Sequence, residues 1–367
     1  MDRDDIAAWI RLLETPGVGR ESGRKLLAAF GSSQAIFAAS TSARREVIGP
    51  AIASALAVST QAIDSAVATT LAWLDEKSAA VRAVVTLGDA LYPTALLHTA
   101  DPPLLLYTQG RSELLQAESI AVVGSRNPTP QGSENAHAFA AHLSRAGLTI
   151  VSGLALGIDG AAHAGGLEGG SSTIAVVGTG LDRVYPRRHL ELAHRISGEG
   201  LIVSEYALGT PPLSENFPPR NRIIAGLTRG TLVVEAALPS GSLITARLAA
   251  EAGREVFAIP GSIHAPQSRG CHALIKQGAK LVDRAEDILE ELRMPAGAAA
   301  GADMPPSADA KEDPLLAALG FDPVTLDALV ARTGCSAAEL SSRLLDFELE
   351  GRVSRLPGQL FQRLARG

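Results

Sequence analysis

Ile120-Ala121-Val122-Val123-Gly124-Ser125-Arg126-Asn127-Pro128 decides the fold: an apolar run, a residue without a side chain, then a hydroxyl, an arginine and a proline. A short apolar run closed by Gly and Pro reads as a buried strand. Further runs follow at Thr149–Val151, Thr173–Val177, Leu201–Val203, Thr231–Val234 and Val256–Ile259, with amphipathic stretches between them. Strand, loop and helix repeated in this way argue for a parallel sheet wrapped by helices, a Rossmann-like α/β domain over residues 76–292. At the end of a parallel strand, Gly124 lets backbone N–H groups approach an anion, and Arg126 supplies charge. The dinucleotide fingerprint Gly-x-Gly-x-x-Gly is absent here.

Outward from this domain the chain changes character. Residues 1–75 are rich in Ala, Leu and Ser at helical spacing, broken at Pro16-Gly17, Gly31 and Gly49-Pro50, which reads as a small all-helical domain. Within it, Leu13-Glu14-Thr15-Pro16-Gly17-Val18-Gly19-Arg20 has the pattern of a helix-hairpin-helix, suited equally to seating a phosphate and to packing two helices. Residues 293–313 hold almost nothing large and apolar and read as a flexible linker. Residues 314–367 resume helical periodicity and close on the strand pattern Gly351–Phe361, so two or three helices and a β-hairpin suggest a small winged helix.

Composition restricts the function classes. The 367 residues carry 33 Lys plus Arg against 39 Asp plus Glu, a net charge of -6, so a nucleic-acid surface must be a local basic patch. Cys271 and Cys335 stand alone, without a second Cys or His at ligand spacing, which argues against a disulfide framework and a zinc site. The start Met1-Asp2-Arg3-Asp4-Asp5 is acidic, and no apolar run approaches the roughly 20 residues that span a bilayer. A cytoplasmic protein with no metal, no cofactor and no membrane contact is expected.

More loops join the first at the same edge of the sheet. Val151-Ser152-Gly153-Leu154-Ala155-Leu156-Gly157-Ile158-Asp159 forms a second small-residue loop, and His163 lies on the same helix side as Asp159. Asp159 and His163 could form a general acid–base pair, but with no nucleophile beside them capping and loop support is the preferred reading. Gly178-Thr179-Gly180 leads to a basic segment with Arg183, Tyr185, Arg187, Arg188 and His189, either a solvated helix start or part of a phosphate track. In Phe217-Pro218-Pro219-Arg220-Asn221-Arg222 the cations fall at a helix N-terminus, and Phe217 beside them suits base stacking in a single strand. Ser240-Gly241-Ser242 sets another turn before a helix, with Thr245 behind it.

These motifs in this order, with Pro260-Gly261 after them, resemble the DNA-processing protein A family, also called DprA or Smf, over roughly residues 80 to 292. The resemblance implies an extended Rossmann fold that binds single-stranded DNA, protects incoming strands in natural transformation, loads the RecA recombinase and forms a homodimer through that domain. It implies a DNA pocket of Gly124, Ser125, Arg126, Ser152, Gly153, Gly157, Phe217, Arg220, Asn221, Arg222, Ser240, Gly241 and Ser242. Asp159, His163 and Thr245 would support it. Glu215 departs from the basic or neutral residue common in the family at that place, and would repel a phosphate unless it points away. The N-terminal region resembles the family's sterile-alpha-motif-like domain and the C-terminal region its winged helix. The expected recognition helix, Ala337 to Glu350, has only Arg343 against Glu339, Asp346, Glu348 and Glu350, so a protein contact or an accessory role is expected of it.

The rival class is an enzyme processing nucleotides or nucleotide phosphates, with Asp159, His163, Glu205 and Glu235 as candidate acids and bases; the Pro-Gly-Gly-x-Gly-Thr loop of such enzymes is missing. A nicotinamide-dependent oxidoreductase would rest on Gly178-Thr179-Gly180 and fold analogy alone.

Overall fold

A computed structural model describes residues 2–294, 313–321 and 323–364. Nine strands form the central sheet: β1 (Arg82–Thr86), β2 (Leu105–Gly110), β3 (Ser119–Val123), β4 (Thr149–Ser152), β5 (Thr173–Val176), β6 (Leu201–Ser204), β7 (Gly230–Val233), β8 (Glu255–Ala258) and β9 (Lys280–Leu281). Their order is β1-β2-β6-β5-β4-β3-β7-β8-β9. From β6 to β9 every pair is parallel, as expected, but β2 runs antiparallel to β6 and β1 antiparallel to β2. The parallel sheet read from the sequence is thus present, and β1 and β2 extend it as an antiparallel edge. Between β1 and β2 the only helix is the single turn Thr94–Leu97, too little to carry the chain back for a parallel crossover.

From β3 the chain winds outward through β4, β5 and β6, then returns to place β7 on the other side of β3. That reversal opens a crevice at the carboxyl ends of β3, β4 and β7, where ligands of open α/β sheets bind. Helices cover both faces of the parallel strands. Ala121 and Val123 pack with Ile223, Ile224, Ala246 and Cys271, while the alternating Ile120 and Val122 pack with Ala136, Ala140, Ala162 and Ile288.

In chain order the helices are α1 (Arg3–Glu14), α2 (Arg20–Phe30), α3 (Ser33–Ala38), α4 (Thr41–Ile48), α5 (Pro50–Leu56), α6 (Gln61–Asp75), α7 (Thr94–Leu97), α8 (Pro130–Arg145), α9 (Ile158–Glu168), α10 (Leu190–Glu199), α11 (Phe217–Leu227), α12 (Gly241–Glu251), α13 (Arg269–Lys276) and α14 (Ala285–Glu291). The first six form the helical region. Their core of Trp9, Leu12, Leu26, Ile36 and Trp73 continues into Val84, Leu104, Leu105 and Tyr107 of the sheet edge. One hydrophobic core thus crosses the boundary expected after residue 75. The helix-hairpin-helix is used for packing: Val18 joins this core, and Gly19 N–H donates to Ser22 Oγ at 2.9 Å.

The C-terminal region is a winged helix of α15 (Pro314–Leu319), α16 (Leu326–Thr333) and α17 (Ala337–Leu349), followed by the hairpin β11 (Val353–Leu356) and β12 (Leu360–Arg363). The short strand β10 (Val324–Thr325) pairs with β12 as a third strand. Arg343, the one arginine of α17, reaches Asp313 at 2.6 and 2.7 Å. Apart from residues 293, 294 and 313, the linker expected over 293–313 lies outside the described residues. Among the described residues no single helix is long and apolar enough to cross a membrane.

Candidate nucleic-acid interface

The crevice holds a pocket of about 570 Å³ lined by the loops that follow β3, β4, β5, β6 and β7 and by the first turns of α11 and α12. It contains Gly124, Arg126, Phe217, Arg220, Asn221, Ser240, Gly241 and Ser242, with Asp159 and Thr245 behind them. Two helix N-termini meet here, each the positive end of its helix dipole, although Pro218 and Pro219 bring no N–H to the first turn of α11. Ser240 caps α12 by accepting from Ser242 N–H at 3.3 Å. Gly241 has open space on its Cβ side, so a ligand can come close to its backbone. Asn221 bridges the two helices, its Nδ2 donating to Gly241 O at 3.4 Å.

Arg126 is exposed and has no carboxylate partner among the described residues. Its guanidinium lies 5.9 Å from the Phe217 ring centre, and the Tyr185 ring lies 5.7 Å from the same ring at an interplanar angle of 31°. A cation and two aromatic rings gathered at the pocket offer a flat base a stacking partner and its phosphate a charge. The sequence places Tyr185 in a basic segment and in the motif order of the family, without a site role. Its signal was an aromatic-proline pair among arginines in an aromatic-poor chain. Arg187 and Arg188, two and three residues beyond it, are exposed as well.

Several expected ligands are committed elsewhere. Ser152 is fully buried and donates to Val122 O at 2.7 Å, because it sits inside β4 rather than on its loop. Ser125 holds its own turn, accepting from Asn127 N–H at 3.1 Å. Gly153 and Gly157 are glycines for the protein's own sake. A Cβ on Gly153 would lie 2.7 Å from Arg220 Nη2, and one on Gly157 would lie 2.4 Å from Ser125 O. Gly124, although at the pocket, is likewise pressed between Ile158 and Glu235 O. Arg222 points away from the pocket and binds both oxygens of Glu205, at 2.5 and 2.6 Å, and Asp101 at 3.2 Å. Its expected role as a DNA ligand is corrected by these partners. Glu215 is exposed and does not line the pocket.

Arg220 is a buried strut with one face on the pocket. Its Nη1 donates to Gly153 O at 2.8 Å and to Val176 O, tying together the ends of β4 and β5. Burial lowers its pKa to about 10, with Asp159 opposing the drop, so it stays cationic at neutral pH. Asp159 accepts from Gly153 N–H at 3.1 Å and Ala155 N–H at 3.2 Å; burial pulls its carboxyl upward while Arg220 and these donors hold it down.

His163 does not pair with Asp159. Thr173 Oγ1 spends its proton on Ile150 O at 2.7 Å, so it accepts from His163 Nδ1, also at 2.7 Å, while Nε2 accepts from Leu154 N–H at 3.3 Å. Both ring nitrogens are thereby occupied in a neutral imidazole, and burial pushes its pKa down to about 3. Glu235 is spent on α8, accepting from Thr129 N–H at 2.9 Å and Oγ1 at 2.6 Å. The acids and bases of the enzyme reading are all bound into the scaffold.

A family model for DNA recombination-mediator protein A matches residues 83–293, and one for the DprA winged helix domain matches residues 297–359. The chain belongs to the DNA recombination-mediator protein A family. It is 43% identical over 298 residues to protein Smf of Escherichia coli K12, covering 78% of each chain. The solved structure of DprA from Streptococcus pneumoniae superposes with a TM-score of 0.68 at 37% identity, over 79% of this chain and 98% of that one. A structure of DprA from Helicobacter pylori, which addresses the single-stranded DNA binding mode of that protein, matches with a TM-score of 0.52 at 32% identity over 57% of this chain and 95% of that one. The match to the mediator family spans every strand of the parallel sheet and the whole crevice.

Proposed function

We propose that this chain binds single-stranded DNA in the crevice at the carboxyl edge of the sheet, without chemistry, and passes the strand to RecA, protecting incoming DNA during natural transformation. The observation that carries the reading is the cluster of Arg126, Phe217 and Tyr185 beside the N-terminus of α12: a base stacks on the aromatic rings while phosphates meet Arg126 and the N–H of Gly241. Arg187 and Arg188 continue the phosphate track beyond Tyr185. The Helicobacter pylori relative, which binds single-stranded DNA, supports the ligand class. Delivery to RecA rests on the family resemblance.

The protein acts as a homodimer through the α/β domain. In support, β9 ends the sheet with Leu281 exposed, and beside it a groove between α12 and α13 is lined by Leu238, Leu243 and Leu274.

Binding of a labelled oligo-dT measured across salt tests the DNA reading. Affinity falls steeply with salt, and Arg126→Ala both weakens binding and reduces the slope of log K against log salt by about 0.7, the share of one phosphate on a single strand. An unchanged slope and affinity in Arg126→Ala, or turnover of a nucleotide, would overturn it.

A further inference from the structure

Arg222 is the centre of a cluster that the DNA reading does not use. Three guanidiniums and two carboxylates meet between the helical region and the sheet. Asp101, in the segment before β2, accepts from Arg20 at 2.6 Å, from Arg24 at 2.7 Å and from Arg222 at 3.2 Å. Glu205, directly after β6, is held by Arg222 and lies 3.5 Å from Arg20. The side chains of Arg222 and Glu205 are each 12% exposed, so the pair is largely shielded from water. Beside Glu205, the Tyr206 hydroxyl donates to Asn216 O at 2.9 Å, gripping the turn that leads into α11.

The cluster therefore touches α11 from behind while Phe217, Arg220 and Asn221 of the same helix face the pocket. Arg20 and Arg24 come from α2, outside the α/β domain. A guanidinium that forks onto two carboxylates from different segments fixes both position and rotation of its helix, because its donors are planar and directional.

We propose that Arg222 is a positioning residue: through Glu205 and Asp101 it clamps α11 to the helical region, so that Arg20 and Arg24 hold the Phe217–Asn221 wall of the pocket in place. The inference rests on the single-stranded DNA reading of that pocket. It makes the helical region part of the binding machinery without contact between that region and the strand.

The test uses the full chain carrying Arg20→Ala and Arg24→Ala together, since both side chains are partly exposed and their loss leaves the buried Arg222–Glu205 pair intact. Two readouts are taken, oligo-dT affinity across salt and amide hydrogen exchange over residues 214–227. The expected result is a loss of affinity of roughly three- to thirtyfold with the wild-type salt slope, and faster exchange in that segment. A slope reduced by about 0.7 for each arginine removed would make them phosphate contacts instead and overturn the proposal. So would wild-type affinity, or unchanged exchange. Wild-type protein that fails to bind oligo-dT at all overturns the DNA reading, whereas binding wild type with an indistinguishable double variant overturns the clamp alone.

Discussion

Gly157 and Gly241 look alike in the sequence, each a glycine before a helix in a loop of small residues, yet the structure gives them opposite reasons. Gly157 has a φ of +81° and would drive a Cβ to 2.4 Å from Ser125 O, so it is where the second loop packs against the first. Gly157→Ala is expected to lower stability by about 2–4 kcal/mol, the sum of a strained backbone and an overpacked contact, read as a lower thermal midpoint. Gly241 has nothing within 4 Å of its Cβ position. Gly241→Ala should leave the thermal midpoint unchanged and weaken oligo-dT about tenfold by keeping a phosphate from the N–H at the start of α12. If both variants behave alike, the distinction between packing glycine and ligand glycine fails. The motif placed these residues in one loop set; the neighbours that assign their roles come from distant parts of the chain, which a local pattern does not report.

Between elements, His163 ties α9 to the start of β5 through Thr173 and to the loop after β4 through Leu154. Folding holds it neutral, with its pKa pushed from 6.5 down to about 3 by burial. A His depressed in the folded state leaves stability whole above the unfolded value of about 6.5, and removes it as pH falls from there toward the folded value, because only the unfolded chain takes up the proton. At about pH 5.5 the loss from this residue is roughly 1 kcal/mol. Unfolding titrations should show that decline in the wild-type protein and a shallower one in His163→Gln. Equal pH profiles would remove the assignment. Spacing alone put Asp159 and His163 on one side of α9, and that much was legible; which partners they reach depended on how β4 and β5 pack beneath the helix.

At the scale of the whole molecule, the sheet ends at β9 with an exposed leucine, and an edge strand with apolar cover available is a place for a second copy. Light scattering is expected to give a dimer mass at micromolar concentration and a smaller mass for Leu281→Asp, with far-ultraviolet circular dichroism unchanged. A monomeric wild type would count against association through this domain. The same scale explains the net charge of -6 beside a proposed DNA site. Carboxylates at Glu205, Asp101 and Asp313 pair with Arg222, Arg20, Arg24 and Arg343 within the fold, while Arg126 stays exposed at the pocket.

The six inner strands, the loops that follow them and the winged helix were legible because buried parallel strands and glycine turns write themselves locally, as apolar runs and punctuation. The motif order also carried the family. Tertiary structure alone decided that β1 and β2 run antiparallel, that the helical region shares its core with the sheet edge, and that Arg222 faces Asp101 rather than the pocket, 121 residues away along the chain. The reason is physical. Residue type shows which group can pair, but a charge commits to whichever partner the fold brings within about 4 Å, and that distance exists only once the chain has packed.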